Sequence, residues 1–328
     1  MKRMSASLAL LAIAALSSPI HHAFAQRYPS KPVRIIVPTP VGGPGDIIAR
    51  GTAAALGALF DQSFVVENRL GVGSIVGAEA CARAAPDGHT LCSMDSFTLT
   101  LNPHVRLKLP YDPIRDFAPI VHFGFLRSSL SVHPSVPANT INELLDLARS
   151  RPGALVWGSF GPASSSHFYI EYFRNAKGIN FLNIPYKAAS EAMQRMVAGE
   201  VQVVSFSLGQ SVALAKAGKI KMLAVAGETR SPLMPNVPSY KESGMELSIQ
   251  TWFGLYAPAA TPPDIVQRLN AELVKIIPTP EFKDKFLTTQ GIELTGPAAG
   301  PIAPFAAYIR EETEMYRNLA KVVGVKPE

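Results

Sequence analysis

The stretch Val33–Arg50 constrains the fold of this chain most. Val33–Val37 is a short β-branched run that reads as a strand buried on both faces. Pro38, Pro40 and Pro44 then alternate with Gly42, Gly43 and Gly45, and an amphipathic run follows. Strand, Gly/Pro loop and helix start form one unit whose backbone N–H groups point out of the helix N-terminus. Such an end favours an anion, through unpaired donors and the macrodipole. No Lys or Arg lies between Arg34 and Arg50, so an anion held here is held by backbone and hydroxyls. The unit reads as one half of a binding site.

The first 25 residues stand apart. Met1-Lys2-Arg3 is a basic start, Leu8–Leu16 is an apolar run too short to span a bilayer, and Ala23-Phe24-Ala25 offers small residues for cleavage. This reads as a signal peptide cut after Ala25, with a periplasmic product. The remaining 303 residues (328 minus 25) suffice for two domains. At 47% apolar and 17% charged residues, the chain is able to bury a sizeable core. Its net charge of +6 is scattered and not run together, which argues against nucleic acid as a partner. Cys81 and Cys92 read first as small core residues, with a disulfide as the alternative in an oxidising compartment. No CxxC or HExxH spacing occurs, so neither a metal site nor a cofactor is expected.

Along the chain, helices are expected over Ile47–Phe60 and Ser74–Ala85, with strands at Ser63–Glu67 and His89–Ser93. This spacing predicts a parallel α/β unit. Gly71-Val72-Gly73 and Gly77 have G-x-G-x-x-x-G spacing, which reads as a tight turn and not as a dinucleotide fingerprint. Residues 102–117 form a long Pro-containing surface passage with Tyr111 and Phe117 tucked under it. Strand-like segments Phe117–Phe125 and Ser129–Val132 divide near Gly124, where a first crossover between domains is expected. The α/β rhythm then repeats. A capping box at Thr140–Glu143 opens a helix to Arg149 or Ser150, and strands follow at Ala154–Gly158, Phe181–Ile184, Val201–Phe206 and Lys219–Ala226. Helices are expected at Phe168–Ala176, Ser190–Ala198 and Ser211–Lys216. An extended aromatic segment, Ser248–Tyr256, reads as the return crossover. Helices from Pro262 to Ile277, within Pro278–Gln290, and from Pro304 to Val323 are expected to pack back on the first domain.

Gly158–His167 copies the opening unit: a buried strand ends in Gly, a Gly/Pro turn follows, and a helix begins with three serines and no basic residue. Two such N-termini facing each other across a cleft would grip a carboxylate, each worth about 0.3–2 kcal/mol. Ser164, Ser165, Ser166, His167 and Asp46 also raise a periplasmic serine hydrolase as an alternative. The G-x-S-x-G elbow is missing, however, and His167 reads better as a locally bonded helix-start residue. Asp46 reads as a first-turn acid, or as an acceptor for a ligand amine.

At these residues the chain resembles the extracytoplasmic solute receptors of tripartite tricarboxylate transporters, the TctC-like Bug (Bordetella uptake gene) family. The matching segments are Tyr28–Arg34, Pro38–Asp46, Val65–Arg69, Ala84–Gly88, Leu109–Pro113, Gly158–His167, Pro185–Lys187 and Trp252–Gly254. The resemblance implies an α/β periplasmic-binding-protein fold: residues 26–125 plus 254–328 form one domain and 126–253 the other, with the cleft between them. It implies a monomeric, non-enzymatic receptor that closes on a small organic carboxylate, an amino acid or aromatic acid among the known ligands, and presents it to a membrane permease. A receptor serving signalling instead of uptake is the other reading. By resemblance and residue type together, the site comprises Thr39, Val41, Gly42, Gly43 and Asp46 from the first loop, and Ser159, Phe160, Gly161, Ala163, Ser164, Ser165, Ser166 and His167 from the second. Asp95, Ser96, Tyr186, Lys187, Ser207 and Phe253 complete it. The chain departs from the family at Met94–Phe97, Ser205–Ser207 and Lys187-Ala188, positions expected to line the distal cleft. There Asp95 would disfavour a second carboxylate, while Phe160 and Phe253 would suit an apolar or aromatic ligand body.

Overall fold

The computed structural model describes residues 28–159, 164–186, 189–324 and 327. The signal segment with its cleavage point, the tip of the second loop at 160–163, and residues 187–188 lie outside the described residues. Two sheets carry the fold. In the first, β1 (Val33–Val37) lies between β2 (Phe64–Asn68) and β3 (Thr90–Asp95), all parallel. β10 (Thr251–Pro258) runs antiparallel between β3 and β4 (Phe117–Leu126), and β11 (Ile292–Glu293) edges β4. Strand β1 is central, and its pattern follows from that position. Val33, Ile35 and Val37 pack on one face with Ile48 and Leu56 of the helix Pro44–Phe60, while Ile36 packs on the other with Cys81, Cys92 and Tyr256. A β-branched run without polar alternation is what burial of both faces requires.

The second sheet has the order β7 (Leu182–Pro185), β6 (Val156–Ser159), β8 (Val203–Ser207), β5 (Ser128–Val132) and β9 (Lys221–Val225). β6 is parallel to β7 and β8, and β5 is antiparallel to β8 and β9. Trp157 of β6 is fully buried against Phe181 and Phe173, with ring centroids 5.0 and 5.9 Å apart. Each sheet is therefore mixed and not wholly parallel. The chain leaves the first sheet on β4, returns to it on β10, and enters the second on β5, and these strands run against their neighbours.

Arg127 alone separates β4 from β5, and residues 226–250 lead from β9 back to β10. The final helix, Ile302–Val323, does more than cover the first sheet. Its Phe305 and Ile309 pack beside Trp252 and Tyr256, whereas Tyr316 and Leu319 join the core of the second sheet with Phe168. Its N-terminal half thus belongs to one sheet and its C-terminal half to the other.

Three helices begin three residues ahead of the apolar periodicity: at Pro44 and not Ile47, at Ser165 and not Phe168, and at Leu208 and not Ser211. At the first, the fixed φ of Pro44 suits the opening helical position. At the second, the Ser164 hydroxyl caps the helix by accepting from the N–H of His167 (3.3 Å). The capping box at Thr140 forms with one change. Thr140 Oγ1 accepts from the N–H of Glu143 at 3.1 Å, but the Glu143 carboxylate reaches the N–H of Asn139 at 2.8 Å.

Cys81 and Cys92 form a disulfide between the helix Ile75–Ala82 and β3, with a Cα–Cα distance of 6.2 Å. Closing so short a loop stabilises the native state by about 3 kcal/mol through loss of unfolded-state entropy. The double substitution Cys81→Ala/Cys92→Ala is therefore expected to lower the unfolding free energy by about that amount or somewhat more, measured by denaturant titration.

Candidate functional site

The opening loop is fixed by one carboxylate. Asp46 is 1% exposed, and its Oδ2 accepts from the N–H of Gly42 and from Arg50 Nε, both at 2.9 Å. Its Oδ1 accepts from Asn68 Nδ2 at 3.0 Å, and the same amide donates to the carbonyl of Thr39 at 3.0 Å. Burial pushes the Asp46 carboxyl up, but the hydrogen bonds from Arg50, Gly42 and Asn68 together outweigh burial and hold it below its ordinary value. Both oxygens are thus occupied in bracing the loop. These bonds give Asp46 the first-turn role that the sequence offered for it. Gly42 bends the loop at φ +81°, a conformation that suits glycine.

With the loop so held, the N–H groups of Gly45 and Asp46 make no hydrogen bond among the described residues. Thr39 Oγ1 is buried beside them and has no partner there either. A Cβ added to Gly45 would lie 2.9 Å from that oxygen and 3.3 Å from the Phe253 ring. Phe253 is 5% exposed and packs in the core of the first sheet behind Gly45, so it backs the loop. Val41 stands at the loop tip, 70% exposed.

Across from this loop, Ser159 ends β6 and Ser164–Ser166 open the helix Ser165–Lys177. The hydroxyls of Ser159 and Ser166 are buried without a hydrogen-bond partner among the described residues. His167 lies 3.6 Å from Glu171 through Nε2, one turn along its own helix. His167 and Asp46 are thus engaged on different helices, which does not favour a Ser-His-Asp array. Tyr186 adjoins Ser159, donating its N–H to the Ser159 carbonyl at 2.8 Å. Phe160, Gly161, Ala163 and Lys187 lie outside the described residues.

Between the sheets is a cavity of about 270 Å³. Pro44 and Ser165, the first residues of the two helices, both line it, and Ser207 and Gln210 bring in the start of a third helix, Leu208–Lys216. Its apolar wall is Phe97, Leu126, Phe206 and Ile249. Arg127, Ser128 and Thr251 line it from the two crossovers. Asp95 and Ser96 sit behind Phe97. The Asp95 carboxylate accepts from the N–H and hydroxyl of Thr98 at 2.9 and 2.6 Å, and Ser96 Oγ accepts from the N–H of Trp252 at 3.4 Å. Burial pushes the Asp95 carboxyl up.

Phe97 lies within Met94–Phe97, a stretch expected to line the cleft, whereas the sequence reading missed Arg127, Ser128, Gln210 and Thr251 as wall residues. Arg127 and Thr251 flank the expected crossovers, and that position was the available signal: residues at a crossover between sheets necessarily border what lies between them. Arg127 is 5% exposed. Its Nε donates to the Ala226 carbonyl at 2.7 Å, Nη1 to Glu293 at 2.9 Å, and Nη2 to the Thr229 carbonyl.

The family profile for the tripartite tricarboxylate transporter family receptor matches residues 48–324. The chain belongs to this family. It is 33% identical over 316 residues to the UPF0065 protein in the tcbD-tcbE intergenic region of Pseudomonas sp. (strain P51), covering 95% of this chain and 92% of that one. It is 27% identical over 318 residues to Protein BugT of Bordetella pertussis (strain Tohama I / ATCC BAA-589 / NCTC 13251), with 96% and 95% covered. Among solved structures, an R. palustris protein with adipate superposes with a TM-score of 0.80 at 29% identity, covering 92% of this chain and 100% of that one. MatC from Rhodopseudomonas palustris with bound malate gives 0.75 at 28%, with 89% and 99% covered. The periplasmic binding protein BugD gives 0.77 at 27%, with 92% and 100% covered. The fold is that of the periplasmic binding proteins, and the family is one of solute receptors. No helix among the described residues is long and apolar enough to cross a membrane.

Asp46→Ala should cost roughly 1–3 kcal/mol of unfolding free energy at pH 7, because it strands the Gly42 N–H and the Asn68 amide. The Asp46 carboxyl titrates below its ordinary value, so its contribution is present at neutral pH and fades as the pH falls through the acid range. Wild type and variant should therefore converge in stability towards low pH when denaturant titrations are compared.

Proposed function

We propose that this chain is exported to the periplasm, cut after Ala25, and works there as a monomeric, non-catalytic receptor that captures one small organic carboxylate for a permease of the tripartite tricarboxylate type. The observation that carries this reading is that Pro44 and Ser165, each opening a helix on a different sheet, line one cavity. The N–H groups of Gly45 and Asp46 and the hydroxyls of Ser159 and Ser166, which have no partner among the described residues, supply donors for a carboxylate, and the helix dipoles favour its charge. The ligand-binding set we propose is the loop Thr39–Gly43, the serines Ser159, Ser164, Ser165 and Ser166, and Ser207. Phe97 and Phe206 enclose the ligand body.

Relatives of this chain were solved with adipate and with malate, both diacids. For this chain we infer a monoacid with an apolar or aromatic body. Among the described residues, the guanidinium that borders the cavity, Arg127, is committed to Glu293 and to two carbonyls, so it offers no free cation for a second carboxylate. In a thermal-shift and calorimetric panel of benzoate, nicotinate, glutamate, malate and adipate, benzoate or nicotinate should stabilise the protein most. Stabilisation by the aliphatic diacids alone would contradict the assignment of ligand class.

Closure in this reading is a hinge motion of residues 126–253 against 26–125 plus 254–328, at the two crossovers. The backbone of Gly209 abuts residues 290 and 291 beside this hinge, and a Cβ there would lie 2.9 Å from the Gln290 carbonyl carbon and the Gly291 nitrogen. Gly209→Val should force the two parts to shift at this contact, weakening carboxylate affinity about tenfold or more and lowering the melting temperature as well, as read by calorimetry and thermal unfolding.

A further inference from the structure

Two carboxylates near the cavity, Asp95 and Glu312, form no ion pair among the described residues. Glu312 sits midway along Ile302–Val323, the helix that packs on both sheets, and is 6% exposed. It accepts from Trp252 Nε1 at 2.6 Å, from Thr100 Oγ1 at 2.9 Å and from the Tyr308 hydroxyl at 3.2 Å. Asp95 accepts only from Thr98 among the described residues. Neither acid forms an ion pair there, and every donor to them is neutral. A buried carboxylate is ordinarily neutralised by a partner or by a proton.

Their placement couples them to the ligand chamber. Thr98 and Thr100 belong to the turn Phe97–Leu101, and Phe97, which opens that turn, is a cavity wall. Trp252 follows Thr251, another wall residue, at the return crossover. The two acids thus hold two segments of the cavity wall from behind. An anion in the cavity would add a like charge on the other side of these wall segments, and a nearby like charge favours protonation.

The groups packed around the acids offer no competing cation. Tyr256 on β10, Tyr111 beyond the turn, and Tyr308 and Tyr316 on the final helix all have phenols pushed up by burial. His122 on β4 stacks between Phe125 and Trp252, and burial pushes its imidazole down to about 3, so it is neutral. His104 bonds to the Thr313 carbonyl, and burial lowers it too. Glu311 faces Tyr308, and Arg106 lies towards Gly73 and Asn102. Burial pushes the Glu312 carboxyl up to about 7, against three hydrogen bonds that hold it back, so its proton is exchangeable near neutrality.

We propose that the receptor binds its anionic ligand together with a proton, taken up by two carboxylates, the half-buried Asp95 and the buried Glu312. This inference rests on the carboxylate-receptor reading above. The bound anion raises the pKa of the pair further, so the complex holds more protons than the free protein. Affinity therefore falls as the pH rises through neutrality, by at most about tenfold per pH unit for one proton.

The test is isothermal titration of the mature chain with benzoate, or with whichever acid of the panel above binds most tightly, at pH 6, 7 and 8 in phosphate and in Tris. The two buffers release very different heats on losing a proton. The expected result is a buffer-dependent heat that reports uptake of about half to one proton near pH 7–8, with Kd about three- to tenfold weaker at pH 8 than at pH 6. Glu312→Gln mimics the protonated acid, so it should abolish most of the uptake and bind at pH 8 as wild type does at pH 6. Equal heats in the two buffers and a flat Kd in wild type would overturn the proposal, as would undiminished uptake in Glu312→Gln. Should that variant not fold, a ¹³C carboxyl titration of wild type decides: the Glu312 midpoint must rise when ligand is present. Binding without proton uptake contradicts this inference alone, whereas no binding of any acid contradicts the receptor reading itself.

Discussion

A helix N-terminus recruits an anion only if its first N–H groups are left unpaired and held still, and in the opening unit both conditions are met by the Asp46 carboxylate. It draws in the N–H of Gly42, turning the loop back, and it ties the loop to the end of β2 through Asn68. Among the described residues the N–H groups of Gly45 and Asp46 itself stay without a partner, and Thr39 Oγ1 lies beside them. The absence of a Cβ on Gly45 lets Thr39 and Phe253 close against the helix start. A buried acid beside a proposed anion site is thus structural. Its charge is offset by Arg50 on the solvent side, and its field does not reach the cavity uncompensated.

The second constraint lies where the chain passes between sheets. Arg127 is the one residue between β4 and β5, and its guanidinium gathers the chain after β9 and the strand β11 around it. Glu293 is shared with the hydroxyl of Ser231. The Arg127 carbonyl accepts the N–H of Leu208, which starts the third helix bordering the cavity. One buried cation therefore organises both crossovers and one wall, and breaking it would leave an uncompensated buried charge at the hinge. On the opposite side, the final helix packs on both sheets with Glu312 at its middle. Sheet separation, cavity and buried charge are consequently parts of one arrangement.

Much of this was legible in the sequence, and the misses share a cause. The doubly buried β1, the Gly/Pro loops, the repeated strand–loop–helix unit and the crossover positions follow from hydrophobic patterning and turn chemistry. The helix starts do not. Pro44-Gly45-Asp46, Ser165-Ser166-His167 and Leu208-Gly209-Gln210 each precede the apolar periodicity by one turn. One residue of each turn lines the cavity, and the Gly, Pro, Ser and polar residues there break the apolar repeat even though Leu208 itself is buried. That the Asp46 carboxylate braces the loop through Gly42 and Asn68, and that Phe253 packs against Gly45, are tertiary contacts that type and spacing do not reveal. Glu312 carried no signal at all, being an acid within an amphipathic helix whose buried side spans two sheets.

The central claim is that backbone and hydroxyl donors at two helix starts, and not an arginine, hold the ligand's carboxylate. A crystal structure of the protein with a bound carboxylate tests this most directly. The account predicts carboxylate oxygens within about 3 Å of the N–H of Gly45 or Asp46 on one side and of the Ser164–Ser166 hydroxyls or N–H groups on the other, directly or through one ordered water. A carboxylate paired instead with the Arg127 guanidinium, with both helix starts left to solvent, would contradict it.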